Sequence, residues 1–514
     1  MSKTIIIIGA GLAGLSAALQ AAENGCNVKL VSSLPSERAQ SVMAEGGINA
    51  ALNTKDENDS PEEHFTDTIK AACGLADPNA VWGMTQAAPE LVHWLLKLGV
   101  KFNMSGYDDV DLRNFGGQKK KRTAFAQSDT GKQIMTAMID AVRRKEASGM
   151  VERFSHHSFL TLRLCGNICC GCVIRDEYSQ ETVELPGDAV IVATGGMHGL
   201  FGNTTGSLSN TGEVTAELFR LGVPLANGEM IQYHPTTVKC GGKRMLISEA
   251  ARGEGGRLFA MKDGKQWYFM EEKYPELGNL MPRDITAREI WKFSHESEVF
   301  LDMTEISEEI ISNKLSGLAD DCMTYLHKDI RKEPVSVLPG IHYFMGGILV
   351  DEQHRTPIQN LYAAGECCAQ YHGANRLGGN SLLGALYGGR VAAKSACEQA
   401  DVVELSCATQ IDVPPASQIS EIKQLNKVMQ ETMGVVRNEN TLLNGIQTVQ
   451  ALTGNLPLLG MAVLKSALAR KESRGAHWRE DYPKSNDDDY LKTTVARFDG
   501  KQIQISFVPV PERR

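Results

Sequence analysis

The chain has 514 residues, room for about three average domains, and its 42% apolar and 22% charged content is an ordinary globular mix without disorder or collagen signatures. Lys plus Arg total 53 against 62 acids, and the net −9 argues against a nucleic-acid surface, which needs a basic stripe. No apolar run nears the ~20 residues of a membrane span, and the chain opens Met-Ser-Lys into a strand with no basic n-region or cleavage site, so neither a secreted nor an integral membrane protein is expected.

Residues 3–8 (KTIIII) read as a buried strand, followed by Gly9-Ala10-Gly11-Leu-Ala13-Gly14, a helical run Leu15–Asn24 and a second strand Asn27–Val31 that ends at Ser32. Strand, glycine turn, helix, strand is the context a dinucleotide fold requires. Gly9 permits the turn, Gly11 lets backbone approach a pyrophosphate, Gly14 lets helix pack on strand, and the phosphates sit on the helix N-terminus. NAD sites place an acid after the second strand; here Ser32-Ser33 stands there, and a hydroxyl can still bond the ribose.

Cys165, Cys169, Cys170 and Cys172 lie in LRLCGNICCGCVIR, a hairpin with Gly-Asn at its turn. They read as small apolar strand residues in a reduced cytosol; a metal or iron–sulfur site is the alternative, but four-Cys iron sites carry separated CxxC pairs, and no CxxCH haem motif occurs. No metal is expected. Residues 188–196 form a strand ending in Ala193-Thr194-Gly195-Gly196, and residues 359–366 a strand ending in Gly365-Glu366. Flavoproteins of the dinucleotide class carry both, which points to FAD. Residues 417–473 turn helical after a boundary at Pro414-Pro415, Asp487-Asp488-Asp489 reads as a solvated loop, and Gln502–Val508 as a strand. The expected architecture is α/β: a Rossmann-like FAD-binding domain (1–236 and 345–405) with an inserted α+β capping domain (237–344), then a helical domain (410–485) and a C-terminal segment (486–514).

Eight motifs, in order, carry a family resemblance: Met43-Ala-Glu45-Gly46-Gly47, Arg113-Asn-Phe115-Gly-Gly117, Gln232-Tyr-His234-Pro-Thr236, Ser248-Glu249-Ala-Ala-Arg252-Gly-Glu-Gly-Gly256, Pro282-Arg283-Asp284, His342-Tyr-Phe-Met-Gly-Gly347, His372-Gly-Ala-Asn-Arg376-Leu and Arg470-Lys-Glu-Ser-Arg-Gly-Ala-His477. The chain resembles, nearly end to end, the flavoprotein subunit of the succinate dehydrogenase/fumarate reductase family, which includes L-aspartate oxidase. The resemblance implies that His342 and Arg376 grip one carboxylate of a dicarboxylate while His234 and Ser248 grip the other, with Ser248 where many relatives have Thr. Arginine suits this task because its fork meets a carboxylate bidentately. It also implies that Arg283 is the proton donor, an acid that works only when well positioned and quickly re-protonated, with Glu249 and Arg252 as its relay. Flavin contacts are implied for Gly9, Ala10, Gly11, Ala13, Gly14 and Ser32, for Glu45, Gly46 and Gly47, for Ala193, Thr194, Gly195 and Glu213, and for Gly365, Glu366, Arg376, Ser381 and Leu382.

Two departures from the family pattern set the expected activity. Members with covalent flavin place a histidine five residues before the glutamate of Glu-Gly-Gly; here that residue is Gln40, so FAD is expected to be non-covalent and a weaker oxidant, favouring fumarate reduction over succinate oxidation. Aspartate oxidases carry an acid where this chain has Phe115, which suits an uncharged alkene better than an ammonium group. L-Aspartate oxidase, a reductase of another small unsaturated acid, and a non-catalytic flavin-binding subunit are the alternatives. With no cluster, haem or second GxGxxG motif, electrons are expected from a separate iron–sulfur subunit, with a membrane anchor beyond it. The chain itself is then cytoplasmic and peripheral, without nucleic-acid partners.

Overall fold

Five parallel strands, in the order Leu361–Ala363, Ala189–Val192, Thr4–Ile8, Asn27–Ser32 and Val151–Ser155, form the central sheet of the computed structural model, which describes residues 2–106, 109–400, 411, 413 and 418–514. The isoleucine run of the first strand is explained by burial on both faces. Ile5 and Ile7 pack with the helices Leu12–Glu23, Thr130–Ala147 and Asn380–Gln399, while Ile6 and Ile8 meet the antiparallel sheet of residues 157–186. Each such side chain contributes ~1.5–3 kcal/mol. Cys169 and Cys172 join that second face as buried apolar residues, and the hairpin turns at Gly166-Asn167 as expected. The first helix begins at Leu12, three residues ahead of Leu15, because Gly11 is already its N-cap.

Two further bodies pack beside this sheet. One is an antiparallel sheet, Lys265–Trp267, Arg257–Lys262, Val299–Asp302 and Val335–Ser336, with the helix Arg283–Phe293 against its core. The other joins helices Ile419–Thr432, Glu439–Val449 and Asn455–Ala469 to a mixed sheet. The strands Lys492–Phe498 and Ile503–Pro509 complete that sheet beside Leu225–Ala226, so the carboxyl-terminal stretch packs into the helical body instead of standing apart.

The strand Ile231–Cys240 runs across the expected boundary between residue 236 of the FAD-binding domain and residue 237 of the cap. It pairs with Lys243–Leu246 on one side and Leu338–Phe344 on the other. Asp487-Asp488-Asp489 is solvated as expected but forms one helical turn, Asp487–Tyr490, instead of a loop: Asn486 accepts from Asp489 N–H and Asp487 pairs with Arg474. Pro414-Pro415 and the limits at 405 and 410 lie outside the described residues.

Candidate active site

A cavity of about 900 Å³ opens at the carboxyl ends of the central strands, where a doubly wound sheet places its ligands. One end is built from backbone. The glycine turn brings Gly9, Ala10, Gly11 and Ala13 to the N-terminus of helix Leu12–Glu23, and Gly365 and Glu366 follow the neighbouring strand. A side chain on Gly11 would project into this space, its Cβ meeting nothing nearer than Ser41 Oγ at 3.7 Å. Gly14 does not face the cavity: a Cβ there would lie 1.8 Å from the Gly9 carbonyl, so it serves packing alone. Ser32 Oγ is buried, lines the cavity and has no hydrogen-bond partner. An open cradle on a helix N-terminus and an orphaned hydroxyl at the end of the second strand fit a dinucleotide. Glu45, Gly46, Gly47, Ala193, Thr194, Gly195, Glu213, Ser381 and Leu382 line the same space.

At the other end stand His234, Ser248, Glu249, Arg283, His342, Arg376 and Phe115. His234 and His342 come from paired strands, their ring centroids 5.1 Å apart. Thr205 Oγ1 lies 2.8 Å from His342 Nδ1, and His234 Nδ1 lies 3.1 Å from the Thr236 carbonyl. Ser248 caps the short helix that carries Glu249 and Arg252. Glu249 Oε2 accepts from Arg283 Nε and Nη2 at 2.9 and 2.6 Å, while its Oε1 accepts from Arg252 Nη2 and Gly116 N–H, both at 3.2 Å. Arg283 Nη1 donates to Gln232 Oε1 at 3.0 Å. Arg252 does not reach the cavity; it sits behind Glu249 and donates to the Asn279 carbonyl.

Arg376 stands apart electrically. It is 4% exposed, stacks 4.3 Å over the Tyr343 ring, and among the described residues no side chain accepts a hydrogen bond from it. Burial, reinforced by Arg283, pulls it down to about 9. Burial raises Glu249, but Arg283 and Arg252 outweigh that and hold it below the usual carboxylate range. Both histidines are pushed well below 6.5, first by burial, then for His234 by Arg283 and Arg252 and for His342 by His234 and Arg283. Arg252 and Arg283 share the carboxylate of Glu249, and Arg376 makes no ion pair among the described residues, feeling Glu366 and Glu249 only at longer range, so positive charge predominates beside the two imidazoles. Buried charge without a counter-ion is unfavourable. This end of the cavity is therefore organised to receive negative charge.

The motifs brought together all the residues named for this end of the cavity except Arg252. They did not single out the buried amides behind it. Asn49 Nδ2 donates 2.7 Å to both the Gly378 carbonyl and Asn380 Oδ1, and Gln118 Nε2 donates 3.0 Å to Gly378 as well. These bonds fix the turn between Arg376 and the helix Asn380–Gln399. Gly378 must be small, since a Cβ there would come 2.9 Å from Glu249 Oε2 and 3.0 Å from Phe115 Cβ. Asn49 follows the Glu-Gly-Gly motif by two residues, and that adjacency was the available signal. Glu45, which lines the same cavity, is also perturbed. Burial, aided by Asp321 and opposed by Arg113 and Ser248, pushes it up to about 8.

Residues 4–382 match a family described as an FAD binding domain, and residues 452–513 one described as fumarate reductase flavoprotein C-term. With the cradle and the cationic pocket, this defines a flavoprotein oxidoreductase. The succinate dehydrogenase flavoprotein subunit of Bacillus subtilis is 38% identical over 575 residues, covering 100% of this chain and 98% of that protein. The 8-methylmenaquinol:fumarate reductase flavoprotein subunit of Wolinella succinogenes is 32% identical, covering 100% and 92%. Among solved structures, the FrdA chain of E. coli quinol fumarate reductase superposes with a TM-score of 0.90 at 27% identity, covering 99% and 97%. The chain belongs to the family of succinate dehydrogenase and fumarate reductase flavoprotein subunits.

Proposed function

We propose that the protein reduces fumarate to succinate, and that the observation carrying this reading is the buried, ion-pair-free Arg376 beside the Arg252–Glu249–Arg283 cluster, in which two guanidiniums share one carboxylate. Bound FAD supplies the two-electron, hydride chemistry. His342 and Arg376 hold one carboxylate and His234 and Ser248 the other, orienting the alkene and screening its charge as negative charge develops on the far carboxylate. Arg283 delivers a proton to the neighbouring carbon from its Nη groups. Glu249, bonded to both Arg283 and Arg252, returns that proton along the chain Arg252–Glu249–Arg283. Phe115, 2% exposed and wedged between Gly46 and Gly378, offers no partner for an ammonium group, which favours an alkene diacid over aspartate.

Reduction is the favoured direction because Gln40 stands at the linking position. Its amide oxygen accepts from Ser207 N–H, it lines the cavity, and it has no ring nitrogen to bond the flavin, which therefore stays non-covalent and low in potential. Relatives named as flavoprotein subunits support a multi-subunit assembly, in which we place the electron donor on a separate iron–sulfur subunit. Among the described residues no helix is long and apolar enough to cross a membrane, so any membrane attachment would run through such partners. The test is anaerobic: reduce the bound flavin chemically, add fumarate, and follow the oxidised absorbance. Stoichiometric reoxidation supports the reading; none, with reoxidation by another unsaturated acid, overturns it.

A further inference from the structure

One arginine of the cavity has no place in the scheme above. Arg244 lies on the hairpin whose turn, Gly241-Gly242, is exposed, and its side chain lines the cavity beside Cys240, Met245 and Leu246. The strand runs from that exposed turn toward Ser248, so Arg244 lies along the chain between a solvent-exposed turn and the dicarboxylate residues. Its backbone N–H donates to the Thr204 carbonyl, and the next residue, Thr205, is the one that holds His342. Its stem crosses Gly340, the register partner of His234; a Cβ on Gly340 would lie 2.5 Å from Arg244 Cδ. Arg244 Nη1 donates at 3.0 Å to Thr237 Oγ1, whose own proton is committed to the Leu338 carbonyl.

No carboxylate among the described residues lies within ion-pair distance of Arg244. The other cavity arginines are accounted for. Arg283 is paired with Glu249, Arg376 faces the substrate, and Arg38 is an exposed residue at the nucleotide end beside Pro35. A guanidinium that is half-buried, pre-set by one hydroxyl and left without a counter-ion is organised for an anion that arrives from outside.

Resting on the dicarboxylate reading, we propose that Arg244 is the capture residue of the site: it meets one carboxylate of an incoming dianion at the rim and hands it to His342 and Arg376, so that dianions are selected over monoanions by rate of entry. A charged wall in a low-dielectric cleft raises association rates, and the gain disappears with salt. The effect belongs in kcat/KM and in the association rate, not in kcat.

The experiment uses the FAD-loaded full chain and compares wild type, Arg244→Gln and Arg244→Lys for fumarate turnover and for malonate association, the latter followed by stopped-flow flavin absorbance. At ~10 mM ionic strength, where the screening length is ~30 Å, Arg244→Gln should lower kcat/KM and the malonate association rate about tenfold with kcat unchanged. Near ~1 M, where that length is ~3 Å, the gap should close to less than twofold. Arg244→Lys should keep most of the wild-type rate. A deficit in Arg244→Gln that is the same at every salt, a fall in kcat alongside it, or a lysine variant as poor as glutamine would each overturn the proposal. If the wild type binds malonate and the glutamine variant matches it throughout, only the role of Arg244 falls. If the wild type neither binds malonate nor reduces fumarate, the dicarboxylate reading falls and this inference falls with it.

Discussion

Replacing Arg376 with methionine should make the ligand-free protein more stable and the protein blind to dicarboxylates. Arg376 is charged at neutral pH in both the folded and unfolded chain, yet folding moves it from 12.5 down to about 9, a penalty of ~5 kcal/mol on the folded cation at ~1.4 kcal/mol per pH unit. Removing the cation forfeits its stacking on Tyr343, ~1–2 kcal/mol for a desolvated pair, so a gain of a few kcal/mol remains. The sign with pH follows: this destabilisation is full below about 9 and fades as pH rises toward 12.5, where the unfolded chain also loses its proton. Dicarboxylate affinity should likewise fall about tenfold per pH unit above about 9, because the free site must regain that proton to bind. The assay is thermal unfolding of the FAD-loaded protein at neutral pH with and without malonate at about one hundred times its dissociation constant, worth ~2.7 kcal/mol to a site that binds it. The variant should melt above wild type without malonate and show no shift with it. A lower ligand-free midpoint, or a malonate shift like that of wild type, would refute the picture of Arg376 as an unpaired cation awaiting an anion.

Arg283→Gln should reduce kcat by about 10²–10⁴ while flavin content is unchanged; normal turnover would move proton delivery elsewhere. Glu45→Gln should abolish a pH dependence of stability. With its folded value raised from 4.5 to about 8, Glu45 contributes stability that is full below 4.5 and lost as pH rises to about 8, so the variant's unfolding midpoint should vary less over that window. Acid precipitation should release all the flavin into the supernatant, and yellow colour in the pellet would count against Gln40. Phe115→Glu should weaken malonate binding by adding a like charge beside Glu249, and tighter binding would show that this ring does not border the substrate.

The dinucleotide body was legible because its signals are local. The isoleucine run, the glycine turn and the helix behind it are contiguous; Gly9 and Gly14 meet close backbone neighbours, while Gly11 leaves the cradle open. The residues at the cationic end of the cavity were legible only as motifs, since His234, Arg283 and Arg376 converge from separate parts of the chain. What stayed hidden depends on tertiary partners. The long strand Ile231–Cys240 passes through the expected domain boundary because its pairing with Leu338–Phe344 is non-local. The Asp487–Asp489 run became a helical turn because Asn486 caps it and Arg474 supplies a cation from another segment. The buried amides Asn49 and Gln118 look like ordinary polar residues until the turn they hold is seen.

The pairing of Ile231–Cys240 with Leu338–Phe344 is interrupted by register shifts between Gln232 and Tyr233 and again between His234 and Thr237. Such irregularities uncouple a side chain's direction from strict strand alternation. His234 thus occupies a position whose aim can be retuned by gaining or losing a single residue, while the parallel sheet that cradles the cofactor is left untouched. A lineage built on this scaffold can therefore reshape this end of the cavity through one-residue insertions here, without redesigning the glycine-turn cradle at the other.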